Sequence, residues 1–163
     1  MTNPAATAEE RSVRQMARRL ALLYYYFART LSEELGEQEG RRLVEKATRE
    51  YGLHVGRAVR ETLEKRGLEL TPQNYGKAAD LPAVGWDFQT THAADGEVQT
   101  TCTYCPLAVA FQELAAADIG RMYCHMDQAR YEGFNPEYEL VHTQTVLDGD
   151  ERCTWVIRGR RQQ

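Results

Sequence analysis

The hydrophobic period of this chain changes near residue 82, and that change limits the folds open to it. Before it, apolar residues recur at helical spacing; after it, runs alternating every second residue appear, separated by one more helical stretch. A 3.6-residue period buries one stripe of a helix and a period of two buries one face of a strand, so the chain must hold both. Residues 8–35 read as one long helix, with Ala21, Leu22, Tyr25, Tyr26, Ala28 and Leu31 on its apolar face and Gly36 as its stop. The aromatic run Tyr24–Tyr25–Tyr26–Phe27 points to several sides of that helix, which fits core packing better than a ligand cage. A second helix spans 38–66, with Leu43, Ala47, Tyr51, Val55, Ala58 and Thr62 on one stripe and His54 off it. Gly52 and Gly56 fall inside it and permit a close helix contact or a bend.

Beyond the turn-rich segment "RGLELTPQNYGKAADLP", the runs "AVGWDFQTTH" and "EVQTTCTY" flank "AADG" and predict a hairpin. Residues 106–133 return to helical spacing, with a break expected near Ala117–Asp118 and Asp118 as the cap of the second piece. The segment "YELVHTQTVLDGDERCTWVIRGR" carries two alternating runs around "DGD", a hairpin turn chemistry. The expected fold is α+β: N-terminal long helices packed on a mostly antiparallel sheet, with a helical segment between its hairpins. At 163 residues the chain is read as a single domain, 8–66 forming its helical part and 82–160 an α/β part that carries the cysteines.

A net charge of -4 argues against nucleic acid as a partner. Arg11, Arg14, Arg18 and Arg19 make the first helix locally basic, but "SEELGEQEG" follows at once and a solvated face is the simpler reading. No apolar run approaches the roughly 20 residues that span a bilayer, and the first residues lack the apolar core of a secretory signal. The expectation is therefore a cytoplasmic protein with reduced thiols and no membrane partner. The apolar content of the first two helices exceeds what one stripe needs, which suggests a homo-oligomer.

Three of the four cysteines fall between 102 and 124, too uneven for a disulfide framework. Cys105 ends a predicted strand and precedes Pro106, a residue favoured in the first turn of a helix. A cysteine at a helix start faces unpaired N–H groups and the positive end of the macrodipole, so its thiol pKa is expected to fall. Cys124 and Asp127 stand three apart and should share a helix face, with Asp127 free to act as a base, to orient one, or to pair with Arg130. His125 joins them only if the pocket wraps the helix. Cys102, Cys105, Cys124 and Asp127 also approximate a zinc pattern, C-x-x-C followed by C-x-x-D, which keeps zinc as an alternative to a metal-free site. Cys153 shares a strand face with Trp155 and Ile157, and His142 and His92 are uncommitted.

The C-terminal half resembles the L-2-amino-thiazoline-4-carboxylic acid hydrolase family. The resemblance rests on Cys105–Pro106–Leu107–Ala108, Cys124–His125–Met126–Asp127, Gly133–Phe134–Asn135–Pro136, Thr143–Gln144–Thr145 and Gly149–Asp150–Glu151–Arg152–Cys153–Thr154–Trp155, in that order. Cys102 is additional to the pattern, and Trp155 stands where the family more often has Phe. The resemblance implies hydrolysis of a small cyclic isothiourea to a carbamoyl-cysteine, with Cys105, Cys124 and Asp127 as catalytic residues and Asn135 in contact with substrate; Cys153 from the sheet and His125, which is not a position expected to be fixed in the family, are the further expected substrate contacts. The family shades into 4-vinyl reductase-like domains, so a non-catalytic small-molecule- or zinc-binding domain is the alternative, as is a hydrolase of the same fold acting on another cyclic amide.

Overall fold

The computed structural model describes residues 6–79, 84–94 and 96–160. Helix α1 runs Ala8–Leu35 and begins where Thr7 accepts from the Glu10 N–H at 3.1 Å while Glu10 accepts from the Thr7 N–H at 2.6 Å, a reciprocal cap. Gly36, at φ +83°, ends it and reverses the chain into α2, Glu37–Lys65. Both boundaries agree with the sequence reading to within a residue. The buried face of α1 agrees except at Tyr26, and that of α2 is displaced. On α1 the buried residues are Ala17, Ala21 and Ala28, while Tyr26 is exposed and Met16, Leu20, Leu23 and Phe27 form an exposed apolar row. On α2 the buried stripe is Val44, Thr48, Gly52, Gly56, Val59 and Leu63, one residue round from the expected Leu43–Thr62 stripe.

The reason is the contact that α2 makes with α6, Met126–Phe134. A Cβ at Gly52 would stand 2.6 Å from the Met126 carbonyl oxygen and 2.7 Å from the Ala129 Cβ. From the other side, a Cβ at Gly133 would stand 2.5 Å from the Leu53 carbonyl oxygen. The helices cross backbone to backbone, so the face with the smallest residues is the most buried one. The glycines bring about the close contact that their spacing allowed.

A single turn, α3 (Pro72–Tyr75), leads to the first hairpin, β1 (Asp87–His92) and β2 (Val98–Tyr104). Residues 80–83 of the expected connector and strand, and Asp95 of the turn, lie outside the described residues. The helical stretch between the hairpins is three pieces, α4 (Pro106–Glu113), α5 (Ala117–Cys124) and α6. The first break falls at Leu114–Ala116, where Ala115 adopts φ +52°; Ala116 is the cap, and Asp118 instead binds Arg41 of α2 at 2.9 Å. A second, unforeseen break at His125 separates Cys124 from Asp127.

Strands β3 (Tyr138–Gln144) and β4 (Cys153–Gly159) complete a four-stranded sheet in the order β1-β2-β4-β3, every pair antiparallel. The turn between them is longer than "DGD" suggested: residues 145–152 form a loop closed by the Thr145 N–H on an Asp150 carboxylate oxygen at 2.8 Å. The register sets Cys102 opposite Cys153, Thr100 opposite Trp155, and His142 opposite Trp155. Alternation therefore places Cys102, Cys153, Trp155 and His142 on one sheet face. The core beneath that face joins Val59 and Leu63 of α2, Tyr131 and Phe134 of α6, and Val98, Leu140 and Ile157 of the sheet. Complete burial of Phe134 and Leu63 stabilises by about 2 kcal/mol each. Among the described residues no helix is long and apolar enough to cross a membrane.

Candidate active site

Cys105 sits at the N-cap of α4 with extended backbone (φ -123°, ψ 113°), as the strand–cysteine–proline order predicted. Cys105 is half-buried and packs against the second core cluster, which includes Ala108 and Phe111. Burial is the dominant influence and pushes the thiol up to about 11. The backbone N–H groups of Ala108 and Leu107 and the indole N–H of Trp86 act against it, each favouring the thiolate. The expected lowering of this pKa is therefore corrected: the helix start contributes in the expected direction, but removal from water outweighs it.

The other thiols differ in kind. Cys124 is the last residue of α5, where helix carbonyls and the macrodipole oppose a negative charge. Burial, then Asp127 and Cys105, drive its thiol upward. Cys102 is buried, donates to the Tyr104 carbonyl at 3.2 Å, and is also driven upward, chiefly by burial. Cys153 lies opposite it on β4 and reaches the Thr145 hydroxyl at 3.9 Å. Cys105 lies within electrostatic range of Cys102, Cys124 and Cys153.

Beside them is a polar cluster on α6 and β3. Asp127 meets Arg130 (Oδ1 to Nη2, 3.3 Å) and His142 (Oδ2 to Nε2, 3.4 Å). Burial alone would raise the Asp127 carboxyl; Arg130, the His142 hydrogen bond and Arg121 outweigh it and hold the group below the usual range. The His142 side chain is only 6% exposed, packs edge-on against Trp155, and meets the Gln128 amide at Nδ1, 3.3 Å away. Arg130 lies over the rings of Tyr75 and Tyr131, 5.6 and 6.0 Å from their centroids. Tyr123 connects the two halves, since its hydroxyl is within electrostatic range of both Cys105 and the Asp127–Arg130 pair.

Cys105, Cys124 and Cys153 lie within electrostatic range of one another, and Cys124 within range of Asp127. The structure leaves His125 exposed at the α5–α6 junction, where burial followed by Arg121 lowers its pKa. Asn135 is committed elsewhere: its amide donates to the Leu70 carbonyl at 3.0 Å and accepts the Glu137 N–H at 3.0 Å, which ties two loops together. Among the described residues no group of three or more His, Cys, Asp or Glu side chains is gathered as a metal site requires. Trp86, Gln128 and His142 escaped the sequence reading. Only the pairing of Asp127 with Arg130, three residues on, was legible from spacing. Two surface hollows, of about 470 Å³ by Gln99, Gln144 and Arg152 and about 270 Å³ by Arg29, Arg41 and Met122, lie away from the thiols.

Cys105 at the start of α4 and the Asp127–Arg130–His142 cluster on α6 and β3 are the two chemically distinctive features of this region. Residues 14–156 match the L-2-amino-thiazoline-4-carboxylic acid hydrolase family, and the chain belongs to that family. No curated protein shows significant similarity to it. Among solved structures it is similar to trafficking protein particle complex subunit 3 from Naegleria fowleri, a protein covalently bound to palmitic acid. The TM-score is 0.53 at 15% identity, over 89% of this chain and 95% of that one, a likeness of fold alone.

Proposed function

We propose that the protein opens a small cyclic amidine by cysteine-dependent hydrolysis, converting an isothiourea ring such as L-2-amino-thiazoline-4-carboxylate to a carbamoyl-cysteine. The family assignment supports the reaction class. The observation that carries the mechanism is the position of Cys105 at the start of α4, where the N–H groups of Leu107, Ala108 and Trp86 favour its thiolate.

A thiol near 11 is ionised in only about one molecule in 10⁴ at neutral pH. The substrate itself resolves that difficulty. A neutral amidine nitrogen is a base, so it takes the Cys105 proton as the sulfur adds to the ring carbon between nitrogen and sulfur, and charge is created and neutralised in one place. The bond from that carbon to the ring sulfur then breaks. The ring sulfur leaves as a thiol with the transferred proton, and an isothiourea remains on Cys105. Water adds to the same carbon, the bond to Cys105 breaks, and the freed thiol recovers a proton from that water. The product is a urea, and atoms and electrons balance without a redox step.

Donors at the start of α4 stabilise negative charge on sulfur as it adds and leaves. Asp127, fixed by Arg130 and His142, acts as a stationary negative charge that favours the amidinium. Cys124, at a helix C-terminus, and Cys153 act as pocket walls. The test is turnover of L-2-amino-thiazoline-4-carboxylate by the reduced protein, followed as carbamoyl-cysteine by mass spectrometry. Wild type should form product, and Cys105→Ala should lose at least about 10³-fold in rate. Normal turnover by Cys105→Ala removes the covalent route, and absence of product from folded wild type removes the substrate.

A further inference from the structure

Three buried side-chain atoms among the described residues have no hydrogen-bond partner: Arg121 Nη1, Gln128 Oε1 and Arg130 Nε. Buried polar atoms are rarely left so, because each forfeits its bonds to water without replacement. These three come from two consecutive helices: Arg130 meets Asp127, Gln128 meets His142, and Arg121 stands within electrostatic range of Asp127.

Their orientation follows from proton bookkeeping. The Asp127 carboxylate can only accept, so the proton between it and His142 belongs to Nε2. Gln128 Nε2 stands 3.3 Å from His142 Nδ1, so the amide presents its NH₂ group there. That leaves the Gln128 carbonyl without a donor. Arg130 reaches Asp127 through Nη2 only, while the rings of Tyr75 and Tyr131 face its plane, which leaves Nε as a held donor. Arg121 is tied through Nε to Asp148 at 2.9 Å, but Asp148 is half exposed and water screens it, so the positive charge is only weakly offset.

We propose that Arg130 Nε, Arg121 Nη1 and Gln128 Oε1 form a recognition subsite for a small ligand carrying a carboxylate and an N–H group, the arginines taking the carboxylate and the Gln128 carbonyl taking the N–H. This rests on the hydrolase reading and names the residues that read the substrate. Tyr123 lies within electrostatic range of both Cys105 and Arg130. Arginine suits the task because its planar fork matches a carboxylate, whereas a lysine offers a point charge.

The experiment pairs two substrates with two variants of the full chain. L-2-amino-thiazoline-4-carboxylate and 2-amino-thiazoline, which lacks the carboxylate, are compared for kcat/KM in wild type, Arg130→Lys and Arg121→Gln. Binding of N-carbamoyl-L-cysteine and of its carboxamide is measured alongside by calorimetry. Wild type should prefer the carboxylate on the order of 30-fold in either readout. Each variant should shrink that preference towards unity, an effect that looser folding alone would not produce because it would weaken both ligands together. If Arg130→Lys does not fold, Arg121→Gln gives the same readout. Discrimination in binding without turnover keeps the subsite while the hydrolase reading falls. Turnover or binding with no carboxylate preference in wild type, or a preference unchanged in the folded variants, overturns the subsite.

Discussion

Replacing Gly56 by Ala tests the central contact of the fold. A Cβ there would collide with the Arg130 carbonyl and stand 2.7 Å from the Phe134 backbone nitrogen. Ordinary contact begins near 3.4 Å and the Arg130 carbonyl is the nearer of the two atoms, so α6 must retreat by roughly 1.4 Å, and backbone cannot swing aside as a side chain can. Overpacking of this kind costs about 1–3 kcal/mol, here towards the upper end. Alanine returns about 1 kcal/mol through its better helix propensity. The net expectation is a loss of about 1–2 kcal/mol, a fall of roughly 2–8 °C in Tm for a chain of this length. Urea denaturation and calorimetry would read it, with Gly76→Ala as the control. Gly76 has φ -63° and an open site, so alanine there should be neutral or stabilise by up to about 1 kcal/mol. Because α6 carries Asp127, Gln128 and Arg130, Gly56→Ala should also weaken carboxylate discrimination. A Gly56→Ala protein as stable as wild type would refute the backbone-to-backbone crossing.

Two further outcomes follow from the site. Alkylation of Cys105 by iodoacetamide, mapped by peptide mass spectrometry, should climb about tenfold per pH unit from 7 to 10 and level off only near 11, whereas an exposed cysteine levels off near about 8.5. Since the folded thiol keeps its proton to higher pH than the unfolded one, stability should be flat below about 8.5 and decline as pH rises towards 11; a plateau in alkylation below pH 9 would contradict both. Asp127→Asn should destabilise by about 2 kcal/mol, less than for a fully buried pair because both partners remain about a quarter exposed, and a urea midpoint unchanged from wild type would remove the pair from any structural role.

Local signals in the sequence were reliable where the chain itself sets the structure. Gly36 as a stop, Pro106 after a strand, and the alternating runs around 98–104 and 153–159 all mark what neighbouring residues do. The buried face of α2 was missed by one residue because hydrophobicity is silent at glycine, and Gly52 and Gly56 are buried by what they lack. The site was half legible for a similar reason. Cys105 announces itself by position, but Trp86 reaches its sulfur from the preceding hairpin, and His142 meets Asp127 only once β3 has paired with β4. The direction of the Cys105 shift was misjudged because a sequence shows the helix start and not the depth at which it is buried.

The short helix α6 answers to two neighbours at once. One side must stay small and flush against the glycines of α2, and the other must keep Asp127, Gln128 and Arg130 in register with His142. Few substitutions satisfy both, so this segment should be the slowest part of the chain to diverge. Strand β1, exposed along its whole length from Asp87 to His92, answers to far less. A lineage acquiring a new substrate would change most freely along that edge, and a library built to redirect specificity would waste fewest variants there.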